Sequence, residues 1–336
     1  MRYIGGKSLM TEHILDVIQR LTLNVRSAVD IFSGSGVVAQ AFKAQGYEVT
    51  ANDILYFSFV LNQGILCNNT TTPRLMELLA YLNGLPTNQC SPNDPHNFIA
   101  HNYTPNDTCS RMYFQCNNAL KIDIIRQEID RLRPELTNNE YFYLLASLIS
   151  AVPFIANITG TYAAYLKYWD VRTYKPLTLE PLPIVDSIQS AHVYNMNAIN
   201  LATHIQSDIA YLDPPYNERE YLPNYHILET IARYDYPKIH GITGIRTDND
   251  AKSDFCRKKR VHQAFSDLLQ TLSCRYILVS YNTEGLLHPE ELIEMLHQIG
   301  IHNTFHLYEY PYRRYKNKIP NNTEGLKEQL YFIEKQ

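Results

Sequence analysis

Two consecutive prolines, Pro214 and Pro215, close the apolar run Asp208-Ile209-Ala210-Tyr211-Leu212. No sheet ladder continues through such a pair, because neither residue has an amide donor and both have a fixed φ. The run therefore reads as a buried strand that ends at Asp213, after which the chain leaves the sheet in a stiff, extended turn. One carboxylate, Asp213, and one aromatic ring, Tyr216, are thereby set at a strand's C-terminal edge. Two chemistries suit this placement. The first is a plain surface turn with a capping Asp. The second is a grip on an exocyclic amine such as adenine N6 or cytosine N4: Asp213 and the Pro214 carbonyl accept its hydrogens while the Tyr216 ring stacks on the attached base.

A second strand and turn lie upstream. Ser27-Ala28-Val29-Asp30-Ile31-Phe32-Ser33-Gly34-Ser35-Gly36 is an apolar strand running into a small, glycine-rich turn, followed by the helical spacing of Val37, Val38, Ala41 and Phe42. Glycines let the backbone approach a ligand closely, and the next helix offers free amides at its N-terminus. The turn lacks the Lys-Ser/Thr of a phosphate-gripping loop and the G-x-G-x-x-G spacing of a dinucleotide fold, so a ligand without phosphates fits it better. Further on, Tyr47-Glu48-Val49-Thr50-Ala51-Asn52-Asp53 reads as a strand ending in an acid. Asp53 fits either a cap on the helix that begins near Leu55 or an acceptor for ribose hydroxyls. At the N-terminus, Arg2-Tyr3-Ile4-Gly5-Gly6-Lys7 precedes an amphipathic helix with Ile14, Val17, Ile18 and Leu21 on one face. This segment is either a plain helix start or a flexible cation-bearing flap over a ligand.

Taken in order, these segments resemble the adenine-N6 DNA methyltransferases of the Dam-like group. The shared pattern is a Y-x-G-G-K segment at 3 to 7, a D-x-F-x-G-x-G turn at 30 to 36, an N-D pair at 52 to 53 and D-P-P-Y at 213 to 216. The resemblance continues through Asn217-Glu218-Arg219-Glu220-Tyr221, Asn224-Tyr225-His226 and Val279-Ser280-Tyr281-Asn282-Thr283-Glu284-Gly285. In the central stretch only Gly160-Thr161-Tyr162-Ala163-Ala164-Tyr165-Leu166-Lys167 takes part.

The resemblance implies S-adenosyl-L-methionine as cofactor. Its methionine part would lie near Tyr3, Lys7 and the turn Phe32, Ser33, Gly34 and Gly36, its ribose on Asp53, with Asp30 and Asp213 also among the residues that contact it. The family commonly contacts the cofactor's adenine through an Asp just before the D-P-P-Y strand. Asn197 stands there in this chain, followed by Ala198, and its side-chain oxygen can still accept from an amino group. Asp213, Pro214 and Tyr216 are the implied catalytic residues. Methyl transfer would be an in-line displacement set up by positioning, on a base flipped out of the duplex, without metal or covalent nucleophile.

The resemblance also implies double-stranded DNA as partner and a cognate restriction endonuclease as functional companion in a cytoplasmic setting. A net charge of -4 means that attraction to phosphates must be local. Basic residues cluster at Arg257, Lys258, Lys259 and Arg260 and again at Arg313, Arg314, Lys316 and Lys318. Each cluster is a solvated surface or a phosphate contact. Tyr165 and Lys167 sit among aromatics interleaved with cations, a pattern shared by base-stacking surfaces and ordinary core rims. Arg219, Tyr221 and Asn224 follow D-P-P-Y closely enough to reach DNA or to pin their own loop. The six cysteines show no metal spacing and read as reduced thiols, and no apolar run is long enough for a bilayer.

Strand and helix alternate through residue 69 and again from about 190, with an antiparallel pair at the end. We therefore expect an α/β fold: a doubly wound, Rossmann-like sheet with an antiparallel edge pair, built from residues 1-69 and 190-336. Residues 70-189 differ in character. They carry a polar, Asn- and Pro-rich loop over 83 to 107, two helical stretches and the tyrosine-rich segment. They read as an inserted target-recognition domain, or as a lid or dimerisation insert. Three functions remain open: a DNA adenine-N6 methyltransferase, a methyltransferase for RNA, protein amide or cytosine N4, and a non-catalytic nucleic-acid binder. Asp213 favours the first, because Asn and Ser are the more usual residues at this position for the other substrates.

Overall fold

A computed structural model describes residues 4–88, 90–247, 252–311 and 327–336. Tyr3, Arg313 and Arg314 lie outside the described residues. The first half runs α1 (Thr11–Leu21), β1 (Ser27–Asp30), α2 (Val37–Ala44), β2 (Glu48–Asn52) and α3 (Tyr56–Leu66). A helical stretch follows: α4 (Pro73–Gly84), α5 (Phe98–Tyr103), α6 (Cys116–Leu132) and α7 (Asn138–Ala151). The chain then returns to the sheet through β3 (Ala191–Tyr194), α8 (Ala198–Ala202), β4 (Gln206–Leu212) and α9 (Leu222–Arg233). It ends with the short β5 (Ile239–His240) and β6 (Ile245–Arg246), α10 (Val261–Thr271), β7 (Ser273–Asn282), α11 (Pro289–Ile299), β8 (His306–Pro311) and β9 (Lys327–Glu334).

The main sheet has seven strands in the order β3-β2-β1-β4-β7-β9-β8. The first five of these neighbours are parallel, while β9 runs antiparallel to both β7 and β8. The expected antiparallel edge is therefore one reversed strand inserted between two others. Helices cover both faces, and the alternation along the strands decides what each face buries. Val29, Ile31, Ala210, Leu212, Ile277 and Val279 face α8, α10 and α11. Ala28, Ile209, Tyr211, Tyr276 and Leu278 face α1 and α2. Because both sides of β4 are covered, Ile209 to Leu212 is an unbroken apolar run.

The third core lies outside the sheet. Apolar residues of α4 to α7 pack with α3 and α9 around Phe57, Val60, Tyr143, Leu144, Ile227 and Leu228. The polar stretch read as loop over 83 to 107 contains α5, whose N-terminal amides of Ile99 and Ala100 donate to Asp123 of α6 at 2.9 and 2.8 Å. That cap comes from a distant helix, so no local signal marks the start of α5.

The start of α3 is capped the same way. Its N-cap residue, Leu55, has no side-chain acceptor, and Glu229 of α9 accepts from the amides of Tyr56 at 3.1 Å and Phe57 at 2.8 Å. Arg233 Nε donates to the same carboxylate at 2.7 Å. Glu229 is wholly buried, so Glu229→Ala removes the shared acceptor of two amides and a guanidinium. The expected loss in urea denaturation is about 2–4 kcal/mol, with Glu229→Gln recovering part of it.

Candidate active site

The order of strands reverses between β1 and β4, and the carboxyl ends of those two strands open the crevice where such sheets bind ligands. Asp30 ends β1, and Asp213 follows β4 directly. A cleft that encloses about 740 Å³, open solvent included, lies there. Its wall includes Phe32, Gly34, Asp53, Asn197, Ala198, Asp213 and Tyr221. The tertiary structure thus brings together most of the residues expected to hold a cofactor.

The glycine turn is built by its own hydrogen bonds. Ser33 N and Oγ both donate to the Asn52 carbonyl, at 2.9 and 3.0 Å, which ties the end of β1 to the end of β2. Gly36 N donates to Ser33 O at 2.7 Å, and Gly36 has a φ of 77°, in the left-handed region. A Cβ at Gly36 would lie 2.4 Å from Asn62 Oδ1. Asp53 accepts from Gly34 N at 2.9 Å through one oxygen and from Leu55 N at 2.8 Å through the other. It therefore fastens the glycine turn and caps its own loop at once. Burial pushes its carboxyl up to about 7 although both amides pull it down.

Asn197 caps α8. Its oxygen accepts from Ile199 N at 2.9 Å, with a longer approach from Asn200 N at 3.5 Å. Ala198 is buried behind it.

Around Asp213 the charges are dense. Lys7 Nζ stands 3.0 Å from Asp213 Oδ1 and 2.5 Å from Glu328 Oε1, and Ser280 Oγ donates to the same Glu328 oxygen at 2.8 Å. The directed hydrogen bond of Lys7 goes to Glu328, and its contact with Asp213 is chiefly charge on charge, since Asp213 Oδ1 has no partner at hydrogen-bond angles. Burial draws Lys7 toward its neutral form, but the Asp213 and Glu328 carboxylates outweigh it and hold the ammonium. Asp213 is pushed up to about 7 by burial, with Lys7 opposing and Glu328 reinforcing. Asp30 is raised well above its ordinary range by burial and then by Asp213 and Asp53, and its Oδ1 is buried without a partner.

Tyr216 sits half-buried beside this group, its ring centroid 5.7 Å from Lys7 Nζ and edge-on to Tyr281 at 6.4 Å. The Gly5-Gly6 segment passes over it. A Cβ at Gly5 would meet Tyr221 Oη at 3.1 Å and Tyr216 Oη at 3.5 Å. Ile4 N donates to Tyr225 Oη at 2.6 Å, so the N-terminal segment is fastened across the mouth of the cleft.

The residues expected to meet DNA fall into two groups. Arg219, Lys167 and Lys258 are exposed. Arg219 O accepts from Cys256 Sγ at 3.7 Å and Glu220 accepts from Ser253 N at 3.3 Å, which sets Arg219 beside the segment bearing Arg257 and Lys258. Arg257 lies 3.4 Å from Asp254, a half-exposed pairing that leaves most of its charge to solvent. The second group is engaged inside the protein. Tyr165 packs edge-on to Tyr113 at 4.9 Å, Tyr221 lines the cleft, and Asn224 Nδ2 donates to Glu220 O at 3.3 Å.

Glu328 is the site residue that sequence reasoning missed. Glu328 and Gln329 stand next to the apolar run Leu330-Tyr331-Phe332-Ile333, an unusual place for a carboxylate, and that was the available signal. Their placement depends on β9 running backward. Its first residues then lie at the same edge as the carboxyl ends of the parallel strands, and Glu328 pairs with Asn282 of β7. Among the described residues no cluster of three or more His, Cys, Asp or Glu is arranged to hold a metal ion, and no helix is long and apolar enough to cross a membrane.

Comparison with known proteins agrees with this geometry. Residues 3–295 match the model of the D12 class N6 adenine-specific DNA methyltransferase family. The chain is 43% identical to the Type II methyltransferase M.FokI of Planomicrobium okeanokoites, along 100% of this chain and 53% of that protein. It is 36% identical to the modification methylase StsI of Streptococcus sanguinis, over 100% of this chain and 52% of that one. With the Type II methyltransferase M.NlaIII of Neisseria lactamica it shares 33% identity across 100% of this chain and 99% of the relative. The chain thus spans about half the length of the first two relatives and nearly all of the third.

Proposed function

From the premise that this chain belongs to the D12 class N6 adenine-specific DNA methyltransferase family, we propose that it transfers a methyl group from S-adenosyl-L-methionine to N6 of an adenine in a short DNA sequence. The observation that carries this reading is Asp213 with Tyr216 at the mouth of β4, on the rim of a cleft bounded by the glycine turn and Asp53. The residues present suit the cofactor. A buried cluster of acids with one ammonium leaves a net negative site for a sulfonium, and the unpartnered Asp30 oxygen lies at the end of β1 beside the glycine turn, which Gly36 packs tightly against Asn62. When bound, the cofactor supplies an electrophilic methyl group. Lys7, Asp30, Phe32, Ser33, Gly34 and Gly36 would hold its amino-acid end, Asp53 its ribose, and Asn197 and Ala198 its adenine.

The protein's own part is to present N6. Asp213 and the Pro214 carbonyl accept the two N6 hydrogens, which localises the nitrogen lone pair and stabilises the charge that develops on it. Tyr216 stacks on the base and resists its return to the duplex, whose opening costs a few kcal/mol. The exposed Arg219, Lys167 and Lys258 and the half-exposed Arg257 are assigned to phosphate contact, and residues 70–189 to target recognition. We place the protein in a restriction-modification system in the cytoplasm, where its methylation protects DNA from a cognate endonuclease.

Incubating the protein with a mixed-sequence plasmid and radiolabelled cofactor tests the reading. Label should be found in N6-methyladenine at one short motif, while cofactor binding without DNA label would turn the argument to RNA or protein substrates. Tyr216→Ala should lower single-turnover transfer by roughly tenfold to a hundredfold, given about 1–3 kcal/mol per stacked base, while cofactor affinity measured by calorimetry changes little.

A further inference from the structure

We propose that Glu328 is a positioning residue for methyl transfer, holding the Lys7 ammonium between two carboxylates so that the charge of the ionised Asp213 is not neutralised by Lys7 and stays available to the target amine. The inference rests on the reading of Asp213 as the N6 acceptor. Glu328 is 2% exposed, and one of its oxygens takes both the Lys7 ammonium at 2.5 Å and the Ser280 hydroxyl at 2.8 Å. A cation paired with Asp213 alone would make a neutral couple and would oppose both a sulfonium and a nitrogen gaining positive charge. Sharing Lys7 with a second carboxylate leaves the trio at net minus one, the sign that the transferring group requires. Glu328 is buried and bonded to Lys7 and Ser280, and it needs no substrate contact for this. It acts through Lys7.

The other groups facing Asp213 do not supply the same counterweight. Asp30 approaches from β1, with Asp53 behind it at the end of β2, and Tyr211, Tyr216 and Tyr221 come from β4 and the following loop and start of α9. Burial holds Asp30 toward its neutral form, and the carboxylate hydrogen-bonded to Lys7 is Glu328. Lys7 is the cation against Asp213 among the described residues, and Glu328 on β9 is its second partner.

The test is the pH dependence of single-turnover transfer at saturating cofactor, measured on the full chain. Glu328→Gln keeps the shape and the Ser280 contact but removes a charge. The acid limb should fall by roughly one unit, because Asp213 then faces an uncompensated ammonium, and the plateau rate should drop roughly tenfold to a hundredfold. Lys7→Met should move the limb the other way, above wild type, since Asp213 and Glu328 then repel without a cation. Adding Glu328→Gln to Lys7→Met should bring it back down, and this pair carries the test if the single Glu328→Gln variant does not fold. A limb that Glu328 substitution leaves in place overturns the proposal, even with a slower rate, because a purely structural glutamate would cost stability and turnover without changing the titration. If the wild-type protein puts no label into DNA, the underlying reading falls and takes this inference with it. Labelled wild-type product with an unmoved limb removes the role of Glu328 alone.

Discussion

Asp213→Ala should abolish detectable methylation, a loss of about a thousandfold or more in single-turnover rate, with the melting temperature at pH 8 unchanged or slightly raised. Both halves follow from the site. The alanine removes the acceptor that holds N6, and transition-state electrostatic contacts of this kind carry roughly hundredfold to thousandfold effects. Stability moves differently. Burial holds the Asp213 carboxyl up at about 7, above its unfolded value, so the fold favours the protonated form. That contribution is complete below the unfolded value and is lost as pH rises through 7, so at pH 8 an ionised Asp213 adds nothing the alanine would forfeit. Lys7 keeps Glu328 as its partner. Substantial retained turnover in this variant would end the assignment of Asp213 as the amine acceptor.

Gly36→Ala should weaken cofactor binding by roughly a hundredfold and destabilise the protein by about 2–4 kcal/mol, read by calorimetry and by urea denaturation. The backbone there is left-handed at φ 77°, and the new methyl would press on Asn62 Oδ1 at 2.4 Å. Asn62 cannot retreat cheaply, since its amide donates to Gly34 O at 3.2 Å and to Ser58 O at 2.8 Å. Relief has to come from the turn, which displaces Ser33 and Gly34 and with them the contact to Asp53. A variant that binds cofactor as tightly as wild type would show that the turn does not form the cofactor cradle.

Asp30, Gly34, Gly36, Asp53 and Asp213 were legible in the sequence for one physical reason. Each closes a strand or forms the turn directly after it, so a few adjacent residues report both the conformation and the edge on which the side chain appears. The paired prolines did the same for β4. The alternation of strand and helix outside residues 70–189 likewise announced a covered, doubly wound sheet, because period-two burial and the 3.6-residue helical period are local properties.

What the sequence by itself determined, then, is the set of strand ends and turns that line the candidate site. What only the tertiary structure decided is which remote groups complete them. Glu229 and Asp123 cap α3 and α5 from other helices, and neither helix start has a local acceptor to reveal it. Glu328 reaches Lys7 across 321 positions of sequence because β9 enters the sheet reversed, between β7 and β8. The cost of burying an amide or an ammonium without a partner is a demand of the folded interior, and whichever acid the packing brings near satisfies it, whatever its distance along the chain.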